Sequence, residues 1–193
     1  MPVPEIVTGE LRGMYRDVIR DPRGHVTWDS DWRKNSIVVD CRRLLAAFVR
    51  SGPGGPPGAP PANPYAQGIL GIRVGAGDPA WDNSTISSSP SDTALTDANY
   101  YTLPRTDPDF SIDFLDPATS AVVSTAKNKL QIVAKFGPNK PTWPDGPHPT
   151  GTLREFGLFG AIEGTQVLIN YVRHPAIAKD PQSTLERTIW LIF

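Results

Sequence analysis

Apolar residues in this chain recur mostly at every second position, in short runs broken by proline, glycine or aspartate. The clearest run is Leu130-Gln131-Ile132-Val133-Ala134-Lys135-Phe136, where Leu130, Ile132, Ala134 and Phe136 share one side of an extended strand. Gly68 to Gly75, Tyr100 to Leu103, Phe110 to Leu115, Ala121 to Thr125, Leu153 to Phe159, Thr165 to Arg173 and Leu185 to Phe193 read as further strands. His25-Val26-Thr27-Trp28 is a shorter candidate after the turn Asp21-Pro22-Arg23-Gly24, within an otherwise extended and irregular start. One segment has a helical period instead. Ile37, Cys41, Leu44, Leu45 and Phe48 fall on one stripe, with Asp40, Arg42, Arg43 and Arg50 opposite, which predicts an amphipathic helix over about 36–50. Asn35 or Ser36 would cap its start, and Gly52-Pro53 would stop it.

Two of the strands are apolar on both sides. Arg154, Phe156 and Leu158 alternate with Glu155, Gly157 and Phe159, which suits a strand covered twice, and Gly157 would admit a close neighbour. At the end of the chain, Leu185, Ile189, Leu191 and Phe193 face one way, Trp190 and Ile192 the other. A greasy terminus of this kind belongs inside a sheet or an interface. Since a sandwich sheet ordinarily buries one face and wets the second, Phe156, Phe159, Trp190, Ile192 and Phe193 are the candidate interface residues.

Composition sharpens this picture. The 21 prolines and 17 glycines among 193 residues limit helix length and demand many turns. Many of them fall in Ser51 to Pro64, a segment suited neither to pairing nor to coiling, which reads as a surface arm. Within it, Pro56, Pro57, Pro60 and Pro61 form a candidate docking strip of polyproline type. Residues 76 to 99 read as a long polar connection, and 137 to 151 as a second turn-rich excursion. The expected architecture is therefore mainly β: an antiparallel β-sandwich with one helix, a 1–34 extended segment, and a 35–193 domain carrying insertions at 51–67 and 137–151.

Charge removes some functions. A formal net charge of −1 gives no basic field for nucleic acid. No stretch reaches the roughly 18 apolar residues of a membrane span. Met1 to Ile6 lacks the basic and apolar regions of a secretory signal, so export by that route is not expected, and the Asn83-Ser84-Thr85 acceptor pattern then has no use. Cys41, the single cysteine, is expected to be buried.

Candidate chemistry is thin. Gly75-Ala76-Gly77 begins like a dinucleotide loop, but Ser- and Pro-rich sequence follows it where a helix is needed, and a tight turn is the better reading. His25, Asp29 and Asp31 have metal-ligand chemistry without a ligand spacing. His148 and His174 sit beside prolines and read as solvated or edge groups. Asp107 with Asp109, or Asp113 with Asp116, would serve a glycosidase only if one carboxyl lay in an apolar pocket. Trp81, Tyr100, Tyr101 and Trp143, near polar loops, are the candidate sugar-stacking residues. No catalytic residue, metal or cofactor is expected.

The order of segments carries a resemblance. Trp32-Arg33-Lys34-Asn35-Ser36-Ile37-Val38-Val39 leads to the helix; Ile72-Arg73-Val74-Gly75-Ala76-Gly77 follows, then a polar loop with Thr93 and Leu95, a strand ending at Phe136, Arg154-Glu155-Phe156-Gly157-Leu158-Phe159, and closing strands to His174 and Phe193. This resembles a module of tail-associated structural proteins of tailed bacteriophages and related contractile injection particles. It covers about 32 to 193. The resemblance implies a non-enzymatic virion protein of the tail, made in the host cytoplasm, whose partners are copies of itself and other particle proteins. The two insertions depart from the pattern and would make contacts peculiar to this particle. A carbohydrate-binding receptor module at a fibre tip, touching host glycan, is the alternative, and a glycan hydrolase the third reading.

Overall fold

The computed structural model describes residues 11–41, 44–45, 66–83 and 88–193. Twelve strands run through them: β1 (Arg12–Arg20), β2 (Val26–Asp29), β3 (Arg33–Ile37), β4 (Ala66–Gly75), β5 (Tyr101–Pro104), β6 (Phe110–Leu115), β7 (Val122–Val123), β8 (Lys129–Phe136), β9 (Thr152–Ile162), β10 (Thr165–Leu168), β11 (Asn170–Ala178) and β12 (Thr184–Ile192). Every pairing is antiparallel, and the protein is mainly β, as its alternating pattern requires. A 3-10 turn, Pro79–Asn83, follows β4.

The described residues fall into two compact units. One takes in residues up to Asn35, Thr106–Trp143 and Lys179–Phe193; the other takes in Ser36–Arg105 and Pro144–Ala178.

In the first unit β12 is an inner strand. It pairs with β1 from Arg12↔Ile192 to Arg20↔Thr184, and with β8 from Leu185↔Phe136 to Ile192↔Lys129. β6 lies beyond β8, β7 beyond β6, and β2 and the first half of β3 both pair with β1. Alternation sorts β12 cleanly: Leu185, Arg187, Ile189 and Leu191 are buried, while Thr184, Glu186, Thr188, Trp190 and Ile192 are half-buried. The terminus is stitched down, with the Phe193 N–H donating to the Asn128 carbonyl at 2.8 Å and Asn128 Nδ2 donating back to the Phe193 carbonyl at 3.2 Å. Arg187 interrupts the apolar face without breaking it. Its guanidinium donates to both oxygens of Asp17 on β1, at 2.6 and 2.7 Å, and both side chains are fully buried.

In the second unit β9 is the inner strand, between β4 and β11, with β5 outside β4 and the end of β3 pairing β11. Gly157 lets this packing close: a Cβ there would sit 2.8 Å from the Asn170 carbonyl. Gly77 turns the chain at φ 57°, against the Trp81 ring.

Three expectations need correction. The helix does not span 36–50, because Asn35, Ser36 and Ile37 extend β3; helical conformation begins at 39 and is described at 39–41 and 44–45. Pairing of Ser36 and Ile37 with Tyr171 and Asn170 gives those residues a ladder, so neither Asn35 nor Ser36 caps a helix. Phe48 and Arg50 lie outside the described residues. The run Thr165 to Arg173 is two strands, β10 and β11, parted at Ile169, whose N–H donates to the Leu158 carbonyl at 2.8 Å. There the Asn170 side chain, through Oδ1, accepts the Leu158 N–H at 2.7 Å in place of a main-chain carbonyl. Finally, the irregular start contains the long strand β1, concealed by Arg12, Arg16, Asp17 and Arg20.

Candidate functional site

The twice-covered strand β9 is the chemical centre of its unit. On one side, Glu155 is fully buried and its carboxylate accepts from the main chain of the loop before β5: the Asp97 N–H at 2.7 Å and the Thr96 N–H at 2.9 Å. The Tyr171 hydroxyl from β11 donates to the same carboxylate. Burial first, and then this bond to Glu155, push the Tyr171 phenol up to about 12, so it holds its proton as a donor. Tyr171 also packs with Val38, Leu95 and Leu168, with Tyr100 at the margin. The polar stretch expected to be a mere connection is thus fastened to the sheet, with Leu95 as its apolar contact.

Asp97 continues the network. It accepts the Ala76 N–H on Oδ2 and the Asn99 N–H on Oδ1, both at 2.8 Å, and Oδ2 also lies 3.0 Å from His148 Nε2. The other ring nitrogen of His148 is 2.7 Å from Asp145. His148, expected to be solvated or at an edge, is buried between two carboxylates; only its nearness to Asp145 was visible in the sequence. On the other side of β9, Arg154 donates to both oxygens of Asp82 in the 3-10 turn, at 2.9 and 2.8 Å, and Asp82 also accepts the Ala176 N–H. The Arg154 guanidinium holds the Asp82 carboxyl below the usual range. Arg173 reaches Asp92 at 3.2 Å. Arg73 lies between the Tyr100 and Phe159 rings, 4.5 and 4.3 Å from their centroids, and donates to Gln166.

The candidate interface residues part company. Phe156 and Phe159, on opposite sides of β9, are both buried. Trp190 is half-buried: its ring meets Trp32 at 4.0 Å between centroids, Lys129 Nζ lies 4.1 Å from it, and its Nε1 donates to Gln131 at 3.1 Å. Ile192 is half-buried and Phe193 is 41% exposed. Pro56, Pro57, Pro60 and Pro61 lie outside the described residues. Of the candidate sugar-stacking residues, Trp81 and Trp143 are buried, and Tyr100 and Tyr101 are half-buried, Tyr100 lying against Arg73.

The other candidate groups serve turns and ion pairs. Asp29 is bonded to Arg16, which holds its carboxyl down at about 2, and it accepts the Asp31 N–H; His25 instead meets Asp21. Lys140 joins Asp107 and Asp109 at 3.1 and 2.9 Å. Asp116 accepts the Ala118 and Thr119 N–H groups. His174 Nδ1 meets its neighbour's carbonyl, Pro175 O, and Cys41 is buried. Among the described residues no group of three or more His, Cys, Asp or Glu is placed to hold a metal ion.

Large apolar side chains left outside are the signal that sequence reasoning missed. Val26 (50% exposed) and Trp28 (37%) project from the short outer strand β2, and Val122 (59%) from the two-residue β7. They could have been found by asking which apolar strands were too short to be inner ones. Compared with protein families, with curated proteins and with solved structures, the chain matches none.

Proposed function

We propose that this protein is a non-enzymatic structural component of a phage tail or phage-like contractile particle, and that it assembles through strand edges and its proline-rich arm. The observation that carries the reading is where the apolar and polar groups went. Several carboxylates are committed to internal bonds: Glu155 to main-chain N–H groups and Tyr171, Asp107 and Asp109 to Lys140, and Asp116 to the Ala118 and Thr119 N–H groups. Val26, Trp28 and Val122, by contrast, stand exposed on outer strands, where an unpaired ladder invites another chain. The class of particle in this reading rests on the resemblance in motif order from Trp32 to Phe193. Sugar binding needs open ring faces; Trp81 and Trp143 are buried, which leaves only the half-buried Tyr100 and Tyr101 of the four candidates.

On this reading the partners are copies of the chain and other virion proteins, and the location is the tail or neck region. The proline-rich sequence at 51–64 is the proposed contact with neighbours, since prolines restrict the backbone and lower the entropy lost on docking. Sedimentation of the full chain over a concentration series tests this. A defined oligomer is expected, and Trp28→Glu with Val122→Glu should dissolve it while the thermal transition stays in place. A chain monomeric at every concentration, or an oligomer indifferent to both changes, would refute the assembly through these edges.

A further inference from the structure

We infer that two copies of this chain join head to tail, the outer strand β2 of one protomer adding to the open margin of β6 in its partner, alongside β7. This rests on the assembly reading and says which edges meet. Within the first unit the ladder runs through β1, β12, β8 and β6, with β2 beside β1 at one margin and β7 beside β6 at the other. Both margins are unfinished. β2 is four residues long and pairs with β1 on one side; among the described residues its other side has no main-chain partner. β7 has two residues and pairs only with Phe114 and Leu115. Ser111, Ile112 and Asp113 therefore have β8 on one side and, among the described residues, no main-chain partner on the other. The result is a notch beside β7 about as long as β2. An open row of N–H and C=O groups recruits an extended segment of matching length.

Charge and apolar surface select a second copy, and select unlike edges. Residues 106–127 carry Asp107, Asp109, Asp113 and Asp116 against Lys127 alone, and Lys140 offsets only the first two. Asp113, on the notch, has no cation partner among the described residues. Arg23, exposed in the turn before β2, has no anion partner among them. Joining β2 to β2 would bring Arg23 towards Arg23, and joining β6 to β6 would bring Asp113 towards Asp113. Joining β2 to β6 sets the cation on the acidic margin and brings exposed Val26 and Trp28 to the side that carries exposed Val122. Different patches of the two copies then meet, so each protomer keeps one margin free for the next, and the series closes as a ring or continues as a filament.

Cross-linking of the full chain tests the pairing. Thr27→Cys and Ser111→Cys place thiols at exposed positions of the two margins, and the native Cys41 is buried. One variant is isotope-labelled, and the two are mixed dilute, concentrated and treated with a short bismaleimide. A dimer of one heavy and one light chain is expected, while each variant alone should give no more dimer than the wild type. Dimer formed within one variant alone overturns the head-to-tail pairing. A wild-type oligomer in sedimentation with no mixed dimer also overturns it and leaves assembly through other surfaces standing. A wild type that is monomeric throughout overturns both. If a cysteine variant does not fold, hydrogen exchange of the wild type over a concentration series decides. Amides in 26–29 and in 111–113 should slow together, by about tenfold, as the chain associates. Slowing at one margin only, or at neither, refutes the pairing.

Discussion

Glu155 shows how one side chain organises a unit. A carboxylate buried without donors would be intolerable, yet Glu155 sits at zero exposure because two main-chain N–H groups and a phenol point at it. Replacing it by glutamine turns one oxygen into a donor facing donors, and should cost about 2–3 kcal/mol in denaturant unfolding. The same change should make Tyr171 ionise at lower pH in an alkaline titration followed by phenolate absorbance, since one cause of its upward shift is removed. In the wild type the sign is fixed by linkage. The folded chain keeps, up to about 12, a proton that the unfolded chain releases near 10, so Tyr171 withdraws stability as pH rises between those values. Little of this was legible beforehand. The sequence places Glu155 and Gly157 on one face of a strand, but its partners come from residues 96, 97 and 171, and nothing local announces them. The same is true of Asp17 and Arg187, 170 positions apart. Each spoils the pattern of its own strand, and only together do they make sense.

At the scale of elements, alternation was a sound guide wherever one face is buried. β6 runs from Phe110 to Leu115 as read, and of the four residues read onto one face of β8, Ile132, Ala134 and Phe136 are buried and Leu130 half-buried. It failed where pairing overrode it. Ile37 fits a helical stripe and Ser36 a helix start, but β11 offers them a ladder, and the ladder prevails. β10 and β11 look like one strand because nothing in Leu168-Ile169-Asn170 marks a break; the break exists because Asn170 bonds the Leu158 N–H with its side chain. This packed corner depends on Gly157. Gly157→Ala would push a methyl to 2.8 Å from the Asn170 carbonyl, main chain that cannot rotate away. A loss of about 1–3 kcal/mol in thermal or denaturant unfolding is expected. An unchanged midpoint would mean that β9 and β11 slide apart at little expense.

The whole chain places its terminal ribbon as an inner strand, β12, flanked on both sides by pairing strands of its own unit. The greasy end therefore needs no second molecule to hide its ladder, and Trp190 finds Trp32 and Lys129 as company. Among the described residues the exposed large apolar side chains include Val26 and Trp28 on β2, Val39, Leu45, Val122 on β7 and Phe193, and the proposed assembly uses those on β2 and β7. The most direct measurement is electron microscopy of particles purified from the cells that encode this chain, with the chain carrying a gold-labelled tag. A structural role in the particle predicts label at fixed, repeated positions on the tail or neck. Particles that are complete, infective or contractile, and carry none of this protein would contradict it.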